Sequence, residues 1–128
     1  MSGVSGFCRT VSHVKVIKVN SGNCFAKLTL QEDDLNPMGG MHGGLAATLI
    51  DNISSTGLLS HSKWREPSPT IRLNLSYLRN AQYGEEITIE SKVLKVGKNM
   101  AFVDVEIRNA EKELLVKGEH VKLRSSSS

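Results

Sequence analysis

Six stretches of the chain carry strand patterning and one carries helical spacing. His13–Val19 is apolar and β-branched and ends on the turn signal Asn20-Ser21-Gly22-Asn23. Cys24, Ala26, Leu28 and Leu30 then alternate with Phe25, Lys27 and Thr29, which predicts a β-hairpin. Thr70–Leu78 places Ile71, Leu73, Leu75 and Tyr77 on one face and Thr70, Arg72, Asn74 and Ser76 on the other. Glu85–Val96, Met100–Arg108 and Leu114–Leu123 read as three more strands, separated by Gly97-Lys98-Asn99 and by a turn at Asn109–Glu113. Between the hairpin and these strands, Leu45, Leu49, Ile53 and Gly57 recur every fourth residue, predicting a helix over Leu45–Ser60. That helix has few charges, so it is expected to be covered by a sheet. Short turns between successive strands make the sheet antiparallel. The predicted class is α+β, with one long central helix wrapped by a curved antiparallel β-sheet.

Length and charge narrow the functional classes. The chain has 128 residues, enough for one domain, and residues 1–6 and 124–128 are expected to be flexible. A core this small is often completed by pairing with a second copy. No apolar run reaches the roughly 18 residues of a membrane span, and the start does not read as a secretory signal. Cys8 and Cys24 have no metal or redox spacing and are expected to be reduced thiols. The formal net charge of +3 is spread along the chain, with few aromatic residues for stacking. No nucleic-acid partner is expected; a small polyanion bearing several phosphates suits this modest excess better.

The chemistry concentrates in Asn36-Pro37-Met38-Gly39-Gly40-Met41-His42-Gly43-Gly44, with four glycines in six residues just before the helix. The first N–H groups of a helix have no partner within it. With glycine at 43 and 44, a carbonyl oxygen or a phosphate can approach them closely. Tight packing alone is the other reading, and no Walker pattern closes the loop. Asp51 interrupts the apolar middle of the helix, where an unpaired carboxylate is costly. It is either on a solvated side or held as a base or nucleophile. At about 1.5 Å per residue, Asp51 lies roughly 12 Å from Gly43 along its own helix. Both can serve one carbonyl if a second subunit runs antiparallel alongside, which predicts sites shared across a two-fold dimer. His42 either packs at the helix start or orients the loop. His61 and His120 are isolated in sequence, and no metal-ligand spacing occurs.

His42-Gly43-Gly44 through Asp51, with Asn36 ahead of it, resembles the hotdog-fold thioesterases of the PaaI-like group. Asn74–Leu78, Lys98–Phe102 and Gly118–Lys122 extend the similarity, so that it covers about Phe7 to Leu123. The resemblance implies a hotdog fold, a homodimer joined edge to edge and commonly a homotetramer. It implies hydrolysis of medium- or long-chain fatty acyl-coenzyme A with no separate cofactor, since coenzyme A is part of the substrate. Asn36 and the Gly43 N–H would hold the thioester carbonyl, and Asp51 of the partner subunit would activate water. Thr70 stands where the family has a water-assisting Ser, and Arg72 where a relative has an acid. Lys98, Arg72 and Tyr77 are candidates for coenzyme A binding, with Asn74 near the site. The implied location is cytoplasmic, with mitochondrial association as the second expectation. The alternative reading is a non-catalytic or dehydratase-like hotdog protein that binds acyl thioesters.

Overall fold

The structure is a computed structural model that describes residues 14–35, 41, 43–64 and 68–124. Its elements are β1 (Lys15–Asn20), β2 (Asn23–Thr29), a single 3-10 turn (Glu32–Asp34), α1 (Gly43–Leu59), β3 (Thr70–Tyr77), β4 (Glu86–Val96), β5 (Met100–Arg108) and β6 (Leu114–Leu123). The order matches the predicted one. The helix begins two residues earlier than its apolar spacing suggests, because Gly43 and Gly44 form its first turn. Glycine is penalised in a helix interior, but an exposed first turn tolerates it.

The strands form one six-stranded sheet in the order β1-β2-β4-β5-β6-β3, and every pair is antiparallel. After β2 the chain crosses through α1 to the opposite edge, lays down β3, and returns to fill the middle. The β1–β2 hairpin turns through Ser21 and Gly22, whose φ angles of 53° and 94° are both left-handed. That geometry matches the strand twist and favours glycine at the second position.

The sheet's inner face carries Leu28, Ile87, Ile89, Val103, Val105 and Ile107, all buried. They pack on Leu45, Leu49, Ile50, Ile53 and Leu58 of α1. Burying each such side chain is worth roughly 1.5–3 kcal/mol, so this layer is the main force holding helix to sheet. Two glycines set how close the layers come. A Cβ on Gly118 of β6 would lie 2.9 Å from Ile50 Cδ1, and one on Gly57 would lie 3.0 Å from the Gly22 carbonyl oxygen. The helix therefore rests almost directly on β6 near Ile50 and on the hairpin turn at Gly57.

The edge strand β3 departs from strict alternation. Thr70 pairs with Lys122, yet Arg72 pairs with Val121, so Ile71 is an extra residue in a β-bulge. The bulge puts Thr70 on the face of Lys122, His120, Leu73 and Leu75, rather than with Arg72 and Asn74. At the far end of β6, Arg124, expected to belong to a flexible tail, is instead held in place. Arg124 donates from Nε to the Lys98 carbonyl at 2.7 Å, and its guanidinium lies 4.4 Å from the ring centroid of buried Trp64. Residues 1–6 and 125–128 lie outside the described residues.

Candidate active site

The site grows from the polar residues that face each other where α1 crosses β6. On the helix these are Asp51, Ser54 and Ser55. On β6 they are His120 and Lys122, which share the inward face with Gly118 because residues two apart in a strand point the same way. Gly118 lets Ile50 settle against β6, and that close approach brings the following helical turn onto the imidazole.

His120 is fully buried, and both ring nitrogens are occupied. Nδ1 lies 2.6 Å from Ser54 Oγ, and Nε2 lies 2.7 Å from Thr70 Oγ1. Asp51 Oδ1 stands 3.6 Å from Nε2, too far for a hydrogen bond. Burial pushes the His120 pKa below its ordinary value, the Lys122 ammonium adds to that shift, and the Asp51 carboxylate opposes it. The imidazole is therefore neutral near pH 7. Lys122 is also buried and donates from Nζ to Ser55 Oγ at 3.0 Å. Burial lowers its pKa, again opposed by Asp51. Asp51 keeps 44% of its side chain exposed. The result is a solvent-facing carboxylate backed by a neutral imidazole and an ammonium.

The second part of the site is the start of α1. Gly43 is exposed, and its carbonyl accepts a hydrogen bond from the Tyr77 hydroxyl at 3.0 Å. Just upstream, Leu35 pairs with Met41 in an isolated β-bridge, and the Met41 N–H donates to the Ala81 carbonyl at 3.1 Å. Leu35, Met41 and Gly43 are thus each held by a partner. A carbonyl placed at the Gly43 end gains from the positive end of the helix dipole.

Of the residues singled out from sequence, Asp51 and Thr70 meet at His120, and Gly43 and Tyr77 meet at the helix start. Asn36 and His42 lie outside the described residues. Arg72 and Asn74 are on the opposite face of the sheet, where Arg72 pairs with Glu119 at 3.8 Å and both partners are largely exposed. The bulge at Ile71 is what separates them from Thr70. Lys98 is exposed in the β4–β5 turn, at the end of the sheet where β3 begins. His120, Ser54, Lys122 and Ser55 were not singled out. The available signal was two polar side chains, His120 and Lys122, in step with Val116 and Gly118 on a strand face that had to be buried.

Comparison with known proteins follows the same outline. The thioesterase superfamily model matches residues 38–116. Acyl-coenzyme A thioesterase 13 of Homo sapiens is 34% identical over 123 residues, spanning 95% of this chain and 87% of the relative. The crystal structure of zebrafish thioesterase superfamily member 2 superposes with a TM-score of 0.90 at 32% identity, covering 94% of this chain and 87% of that one. Thioesterase superfamily member 2 of Mus musculus gives 0.86 at 32% identity, with 95% and 90% covered.

Proposed function

The chain belongs to the thioesterase superfamily and has the hotdog fold, and from that premise we propose that it hydrolyses medium- or long-chain fatty acyl-coenzyme A to fatty acid and coenzyme A. The observation that carries the reading is Asp51: a solvent-facing carboxylate, the one charged side chain of α1, grouped with Thr70 around a buried His120.

Each site takes Asn36 and Gly43 from one protomer and Asp51 and Thr70 from the other. The roughly 12 Å between Gly43 and Asp51 along one helix supports this division. The thioester carbonyl oxygen sits at the Gly43 N–H with the Asn36 amide beside it. Water held between Asp51 and Thr70 attacks the carbonyl carbon, and its proton passes to the Asp51 carboxylate. The oxyanion that forms is stabilised by donors fixed before the reaction begins. The tetrahedral intermediate then breaks its C–S bond, and the departing thiolate takes up the proton.

Tyr77 holds the Gly43 carbonyl, so its role is to position the helix start. Lys98, exposed in the β4–β5 turn, is assigned in this reading to the coenzyme A phosphates, in keeping with the formal net charge of +3. A dehydratase-like role for the family fold would need a histidine free to move a substrate proton. His120 has no exposed surface and both nitrogens engaged, so it does not fill that role. The test is release of free thiol from an acyl-coenzyme A series of increasing chain length. Turnover that peaks at medium or long chains supports the reading, and binding without thiol release contradicts it.

A further inference from the structure

We infer that Ser54 is a positioning residue that fixes the tautomer of His120, and through it the direction in which the Thr70 hydroxyl points at the attacking water. The inference rests on the proposed hydrolysis for its catalytic consequence, but not for the hydrogen-bond chain itself.

The direction of the chain follows from counting protons. Ser54 Oγ lies 2.6 Å from the Ile50 carbonyl oxygen and 3.2 Å from the Asp51 carbonyl oxygen. A carbonyl can only accept, so the single hydroxyl proton of Ser54 goes to Ile50. Ser54 Oγ is then an acceptor toward His120 Nδ1 at 2.6 Å, and Nδ1 must carry the proton. In a neutral imidazole this leaves Nε2 with a lone pair, and the partner 2.7 Å from it is the Thr70 hydroxyl. Thr70 therefore donates to Nε2 and offers only lone pairs toward Asp51. Among the described residues, Ser54, Asp51, Thr70 and Lys122 are the polar groups that face the imidazole, from α1, β3 and β6. None of the others supplies a competing acceptor within hydrogen-bond distance of Nδ1.

This direction matters for the nucleophile. A water between Thr70 and Asp51 gives one hydrogen to Thr70 Oγ1 and the other to the carboxylate. Both hydrogens are tied, so a water lone pair faces the carbonyl carbon. In the opposite tautomer Nε2–H would donate to Thr70, Thr70 would donate to the water, and one water hydrogen would be left without an acceptor to fix the orientation of the nucleophile.

Long-range proton–nitrogen NMR on the full-length protein with 15N-labelled histidine tests the inference, with the His120 signals assigned by their loss in His120→Gln. Wild type is expected to show a protonated Nδ1 and an unprotonated Nε2. Ser54→Ala is expected to lose this pattern and to lower kcat about tenfold or more at unchanged KM, since the chain acts on the water and not on substrate binding. Ser54→Thr, which keeps the hydroxyl, is expected to restore both readouts. A wild-type spectrum with the proton on Nε2 overturns the inference without any activity measurement, and so does wild-type kcat in a folded Ser54→Ala. Wild type that shows the Nδ1 proton but releases no thiol upholds the chain and overturns the proposed function instead.

Discussion

The carboxylate of Asp51 stands 3.6 Å from the buried imidazole of His120, close enough to feel it and too far to bond it. Between them the Thr70 hydroxyl reaches the imidazole at 2.7 Å, so the carboxylate is left to face solvent and whatever enters there. A base that is backed but not consumed by its neighbours suits activation of water.

Burial of His120 has a consequence for stability. Its folded pKa lies below the ordinary 6.5, so as pH falls through 6.5 the unfolded chain takes a proton that the native state refuses. Stability is therefore expected to be fully present above pH 6.5 and to decline as acidification proceeds toward the lowered native value. Urea unfolding at a series of pH values checks this. His120→Gln should flatten the slope in that window, and an unchanged slope would assign it to other groups.

Tyr77 is half exposed, yet its hydroxyl is the side-chain clamp on the Gly43 carbonyl. Tyr77→Phe is expected to cost about 0.5–1.5 kcal/mol in unfolding free energy. It should also reduce kcat/KM, because the helix start loses its tether. A variant with both values unchanged would show that the hydroxyl holds nothing that matters.

Gly57 sets two principles against each other. Alanine is favoured over glycine in a helix by about 1 kcal/mol. A Cβ there would meet the Gly22 carbonyl oxygen at 3.0 Å and the Asn23 carbonyl carbon at 3.1 Å, both backbone atoms of a tight turn that has little room to move. Gly57→Ala is therefore expected to be destabilising by about 1–3 kcal/mol. A rise in the thermal midpoint would show that the hairpin yields.

Much of this architecture was readable from alternation. The spacing of Leu45, Leu49 and Ile53 located the helix, and the expected strands Glu85–Val96 and Met100–Arg108 match β4 and β5 within a residue at each end. The site was only half readable. Gly43 and Asp51 stand out because their residue types are unexpected where they fall. His120 does not, since its contacts come from α1 and β3, far away in the chain. The face of Thr70 was misread for a different reason. A period of two fails wherever an extra residue enters a strand, and the bulge at Ile71 has no glycine or proline to announce it.

Asp51 is the residue on which the proposed hydrolysis stands. The decisive measurement is the rate of thiol release from a long-chain acyl-coenzyme A by wild type, Asp51→Asn and Asp51→Ala, with the state of association followed by size-exclusion chromatography. Loss of a general base is expected to slow release by roughly 10²–10⁴-fold in both variants while the elution volume stays that of wild type. Release within a few-fold of wild type from either intact variant would contradict the account.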